Sequence, residues 1–136
     1  MTRKPNAIDR RSPGQIEAAV CDLVTRFHRD AVGRGPGCVT ASMQGDRLFV
    51  HLQGILTTAE SCLVEGDAAP PGAGSDMIRA LRDRIVRQAR EQLLAALGAT
   101  IGRRAESLLH DVAPATDEEV FVVGFARDDA PRVRTV

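Results

Sequence analysis

Apolar residues recur along this chain with two different periods, and the switches between those periods mark out its elements. Ile16, Val20, Leu23, Val24, Phe27 and Ala31 stand three or four residues apart with charge opposite them, the spacing of an amphipathic helix. Ser12, followed by Pro13 and by Gln15 three places on, supplies a capping box with proline at the first helical position. Gly33 stops the helix because only glycine enters the left-handed cap without steric cost, so the pattern predicts a helix over 12–32. Period two follows: Val39, Ala41 and Met43, then Leu48, Val50 and Leu52, on either side of Gly45-Asp46. That alternation predicts a hairpin of strands 38–44 and 47–53. Gly54 ends the second strand, and Thr57-Thr58-Ala59-Glu60 forms another capping box opening a short helix. Met77, Ile78, Leu81, Ile85, Ala89, Leu93 and Leu97 read as the buried stripe of a long helix. It is expected to start at Ser75-Asp76 and to stop at Gly98. Strands are expected at 102–110 and 118–125, with the loop DVAPATD between them.

The order helix–strand–strand, short helix, long helix–strand–strand predicts an α+β fold. Its economical form is a four-stranded, mainly antiparallel sheet with two long helices packed on one face. One domain is expected over 12–126. Residues 1–11 and 127–136 lack pattern and are expected to be disordered, and GDAAPPGAG at 66–74 to be a flexible loop. The other sheet face is expected to carry Phe49, His51, Phe121, Val123 and Phe125, only partly covered. Exposed apolar faces mark interfaces, which points to a homodimer or a partner-protein contact.

Composition narrows the class. The 136 residues suffice for one domain, and 43 % are hydrophobic but only four are aromatic, all phenylalanine, so the core is aliphatic. Eighteen basic residues balance eighteen acidic ones, leaving no global field to draw in nucleic acid or acidic lipid. No apolar run approaches the ~20 residues that cross a bilayer, and no apolar segment follows the basic N-terminus as in a signal peptide. A cytoplasmic protein with no direct membrane span is expected. Cys21, Cys38 and Cys62 are odd in number and widely spaced, which points to reduced, mostly buried thiols.

Candidate chemistry is sparse. GRGPG at 33–37 invites an anion-cradle reading, but phosphate loops precede helices and use their positive ends, whereas this loop follows one. Gly33, Gly35 and Pro36 are therefore read as a structural turn, and Arg34, which no turn requires, as a candidate partner or anion contact. His28, assigned to the outer side of its helix, His51 and His110 share no zinc-ligand spacing with each other or with the cysteines, so no metal is expected. His110-Asp111 with Glu106 offers acid–base groups, but adjacent strand residues face opposite ways. Thr57 and Glu60 satisfy each other in their capping box. Arg79, Arg82, Arg84, Arg87 and Arg90 are read as the exposed side of the long helix, joined by Arg103 and Arg104. Seven arginines against three acids over 76–104 make a solvated face or a contact for a partner protein, acidic lipid heads or RNA, with Arg84 and Arg87 as the residues to test. Few aromatic side chains are available to stack on bases, so nucleic acid is disfavoured. No catalytic residue and no cofactor is assigned.

FHRDAVGRGPG, the hairpin, LQGILTTAE, the arginine-bearing long helix and HD before the last strand together resemble the MpsC family. These are small bacterial proteins named for a cation-translocating, membrane-potential-generating system. The resemblance covers roughly 14–126, and its specific parts are GRGP and the element formed by Gly54, Leu56, Thr57 and Glu60. It implies association with membrane cation or inorganic-carbon transport. GDAAPPGAG departs from the family's more direct run between the two helices. The expected function is a non-enzymatic accessory or interaction protein, homodimeric and linked to a membrane transport protein. The alternative is a small-anion or nucleic-acid binding module using the arginine-rich helix surface.

Overall fold

Capping chemistry sets where the first two helices begin. In the computed structural model, which describes residues 11–66 and 71–127, α1 spans Pro13–Val32. Ser12 Oγ accepts from the Gln15 amide at 3.1 Å while Gln15 Oε1 accepts from the Ser12 amide at 2.8 Å. Gly33 closes the helix at φ 99°, its amide bonded to Arg29 O. β1 (Cys38–Gln44) and β2 (Arg47–Gln53) pair antiparallel around Gly45-Asp46. Next come α2 (Thr58–Glu65), α3 (Ala73–Ile101), β3 (Ala105–Ala113), one 3-10 turn at Pro114–Thr116, and β4 (Glu118–Phe125). Of the arm expected at 1–11, the tail expected at 127–136 and the loop expected at 66–74, residues 1–10, 128–136 and 67–70 lie outside the described residues.

The sheet is antiparallel throughout in the order β1-β2-β4-β3. The long helices cover one face, α1 over β1 and α3 over β3, and touch each other. Between helices and sheet lies an aliphatic core that includes Val20, Val24, Leu48, Val50, Leu52, Ile78, Val86, Leu93 and Leu97. The fold class is thus α+β, with helices packed against a four-stranded antiparallel sheet.

Several boundaries and faces differ from the sequence expectation. Helix α3 starts two residues before Ser75, behind Gly72 and with no side-chain cap, and it runs through Gly98 to Ile101. Gly98 serves close packing instead of termination. A Cβ there would lie 3.0 Å from Arg103 O and 3.3 Å from Ala105 N, where the chain turns back. Gly102, at φ 85°, is the stop. β3 therefore begins at Ala105 instead of 102 and absorbs Asp111–Ala113, which were expected in a loop.

The buried face of α3 carries Ile78, Arg82, Val86, Leu93, Leu97 and Ile101, whereas Met77 and Leu81 are 60 % and 52 % exposed. A guanidinium occupies a core position, so a reading that follows apolar residues alone shifts the stripe onto Leu81. The outer sheet face is also corrected. Val50 pairs with Phe121 and Leu48 with Val123, which puts even positions of β2 and odd positions of β4 on one side. Phe121, Val123 and Phe125 are consequently buried under the helices. Phe49 and His51 remain outside, joined by Val120, Val122 and Leu109. The thiols are free as expected but not mostly buried. Cys38 and Cys62 are exposed and Cys21 half-buried, because Cys38 falls on the outer sheet face and Cys62 on the solvent side of α2.

Candidate functional site

The chain between β2 and α2, residues 54–57, has no regular structure, so its backbone polar groups need partners from elsewhere. Asp117 supplies three of them, all for amides. Its carboxylate Oδ1 accepts from the amides of Ile55 at 2.7 Å and Leu56 at 2.9 Å, and its carbonyl accepts from Gly54 N at 3.0 Å. Asp117 holds φ 58°, the one described non-glycine residue in the left-handed region. Glu60 Oε1 accepts from the Thr57 amide at 2.9 Å and Thr57 Oγ1 from the Glu60 amide at 3.1 Å, completing the capping box. On the carbonyl side, Arg34 Nη1 donates to Leu56 O at 3.0 Å, and Arg82 Nη2 donates to Ile55 O through a short bond.

Arg82 is the centre of this arrangement and is 1 % exposed. Its Nε and Nη2 grip Glu60 bidentately, at 3.0 Å to Oε2 and 2.8 Å to Oε1. Its Nη1 faces Glu119 Oε1 at 3.3 Å and His28 Nε2 at 3.2 Å. His28, assigned by sequence to the outer side of α1, is instead 2 % exposed, because its ring turns inward to this guanidinium. Its Nδ1 meets Arg34 O at 2.6 Å. A carbonyl only accepts and a guanidinium only donates, so the ring is neutral with its proton on Nδ1. Burial pushes the His28 pKa below its ordinary value, against the pull of the Arg34 carbonyl and Glu119, in agreement with that tautomer. His110 Nε2 donates to Glu119 Oε2 at 2.5 Å, and its ring lies against Phe121.

Burial alone would raise the Glu60 carboxyl, but the Arg82 hydrogen bonds, the Thr57 amide and the nearby positive charge together hold it below the usual range. Among the described residues no buried side-chain nitrogen or oxygen lacks a partner. Breaking such a buried ion pair from one side costs about 3–5 kcal/mol, since the orphaned charge stays desolvated. The cluster can therefore lock α1, α2, α3, β4 and the 54–57 segment into one arrangement.

Of the residues singled out in the sequence, the fold brings together Arg34, Thr57 and Glu60. Arg34 is exposed, yet its carbonyl and its guanidinium both tie the GRGPG turn to its neighbours. Gly37, at the end of that turn, meets Gly54 so closely that a Cβ on Gly54 would lie 3.1 Å from Gly37 N. Arg84 and Arg87 lie apart, on the solvent side of α3, and Arg87 Nε is 2.9 Å from Asp83 Oδ2. Arg82, read as exposed, is the buried hub. His110 does not pair with Asp111, which bonds its own following amide, and Glu106 pairs with Arg104. Sequence reading put Arg82 and His28 on the outer sides of their helices and missed Glu119 and Asp117. One signal was available for Arg82, which sits four residues from both Ile78 and Val86.

A second polar group lies outside the cluster. A groove of about 180 Å³ is lined by His51, Arg79, Asp111 and Glu118 among others. Its His51 Nε2 is 2.7 Å from Glu118 Oε1. The Thr116 hydrogen bond, then His51, hold the Glu118 carboxyl below the usual range. No group of three or more potential metal ligands occurs among the described residues. None of their helices is long and apolar enough to cross a membrane.

The family model described as "Na+-translocating membrane potential-generating system (MpsC)" matches residues 12–127. The uncharacterized protein YbcI of Bacillus subtilis (strain 168) is similar, at 28 % identity over 119 residues, covering 88 % of this chain and 92 % of YbcI. No solved structure matches the chain.

Proposed function

Because the chain belongs to the MpsC family, we propose that it is a non-enzymatic accessory protein, cytoplasmic and homodimeric, that binds a component of a membrane cation or inorganic-carbon transport system. One observation carries this reading: α3 presents Met77 and Leu81, 60 % and 52 % exposed, on a helix whose solvent side also bears Arg84 and Arg87. Apolar side chains bordered by guanidinium groups suit an apolar, acid-rimmed protein surface better than a bare anion. The interior supports the same reading, since the buried ionisable groups bond one another and are committed to architecture. Nucleic-acid binding through α3 is the weaker alternative, because Arg82 is withdrawn into the core, Arg79 Nε donates to Val112 O and Arg87 faces Asp83.

A photo-crosslinking residue at Met77, introduced into the full chain in its native cell, tests the proposal. The expected adduct is a transport-system membrane protein, reduced at least tenfold by Arg84→Glu with Arg87→Glu. Adducts to nucleic acid, abolished by raised salt, contradict it.

A further inference from the structure

The outer sheet face forms a grid of cross-strand rows. Ser42, Phe49, Val122 and Leu109 make one row, and Thr40, His51, Val120 and Asp111 the next. Flanking them are Gln44, Arg47, Gly124 and Ser107 at one end, and Cys38, Gln53, Glu118 and Ala113 at the other. Leu109 is 66 % exposed, and Phe49 and Val120 are 38 % and 37 % exposed. The face is therefore apolar in the middle, with Arg47 beside Asp46 at one end and the carboxylates of Glu118 and Asp111 at the other, where His51 Nε2 lies 2.7 Å from Glu118 Oε1.

On each sheet edge two backbone groups are already engaged by side chains, which hinders strand addition. On β1, the Met43 amide donates to Glu17 Oε2 at 3.3 Å and the Cys21 thiol donates to Val39 O at 3.6 Å. On β3, the Val112 carbonyl accepts from Arg79 at 3.1 Å and the Val112 amide donates to Asp111 Oδ1 at 2.8 Å. Association across the face is thus favoured over extension of the sheet.

We propose that this face is where two copies of the chain meet, sheet on sheet. The inference rests on the reading of the protein as an interaction module and names one of its surfaces. Charge complementarity identifies the occupant. A two-fold axis lying between the sheets and across the strands sets each Arg47 end on the partner's acidic end and each apolar middle on the other. Among the described residues, Arg47 bonds only its neighbour Asp46, at 3.4 Å and exposed. The formal net charge of zero leaves no overall repulsion between copies. Four strands ~4.8 Å apart, each taken over a seven-residue length of ~3.4 Å per residue, give a footprint of roughly 450 Å² before side-chain relief is counted. That is little more than half of the ~800 Å² each partner gives to a standard interface, so the area is that of a weak, reversible dimer.

Light scattering on the full chain over a range of concentrations tests this. Wild type is expected to reach twice the monomer mass, and Leu109→Glu to stay at the monomer mass with its unfolding temperature retained. Arg47→Glu and Glu118→Arg are each expected to be monomeric, and an equimolar mixture of the two to recover the dimer. A wild type that is monomeric at every concentration overturns the inference together with the homodimer of the proposed function, and leaves the binding of a transport component to its own crosslinking test. A dimeric Leu109→Glu overturns this face as the interface. Failure of the mixture to dimerise overturns the two-fold arrangement.

Discussion

At His28 the Arg34 carbonyl and the Arg82 guanidinium are partners of fixed polarity, so the neutral form satisfies both, and protonation sets a second positive centre against Arg82. A group whose folded pKa is depressed contributes stability that is complete above its unfolded value and declines as pH falls below it. For His28 that decline begins near the ordinary value of 6.5, and Glu60 adds a further loss below its ordinary 4.5. The unfolding temperature should therefore fall as pH goes from 7.5 to 5, and His28→Gln should flatten the curve between 6.5 and 5, read by thermal unfolding across pH. An unchanged slope in His28→Gln would assign the acid sensitivity elsewhere. Asp117 illustrates what sequence does not convey at this scale. In APATD it reads as an ordinary turn residue, and only the fold brings its carboxylate under two amides from a segment more than sixty positions away.

Among the elements, α1, β1, β2 and β4 were legible to within a residue because periodicity and caps agree there. The ends of α3 were not, and glycine explains why. The same residue type stops a helix through positive φ or sits inside one to admit a neighbouring backbone, and sequence does not distinguish the two. Gly98→Ala separates them. Helix propensity alone favours alanine by about 1 kcal/mol, but the added methyl meets backbone atoms of Arg103 and Ala105 at 3.0 and 3.3 Å, which cannot swing aside. The substitution should lower stability in urea unfolding, and a gain would show that the turn after α3 yields freely. The face of α3 was misread for a related reason, since hydrophobic pattern has no place for a buried arginine whose carboxylate partners lie on other elements.

Across the whole molecule, the two stretches that carry the family likeness, GRGP and the segment from Gly54 to Glu60, prove to be neighbours. His28 holds the first through Arg34 O, Arg34 reaches the second through Leu56 O, and Arg82 grips His28, Ile55 O, Glu60 and Glu119 at once. Their proximity was not legible because the residues that join them lie in α3 and β4. The distinctive sequence of this protein therefore lies in its architecture, and the proposed interactions use the exposed faces of α3 and the sheet. The free energy of unfolding of Arg82→Met, from urea titration, tests that division most directly. Two buried carboxylates lose their counter-charge in this variant, and a loss of about 3–5 kcal/mol relative to wild type is expected. A variant as stable as wild type that no longer yields the Met77 crosslink would contradict the account and make the Arg82 centre a recognition site.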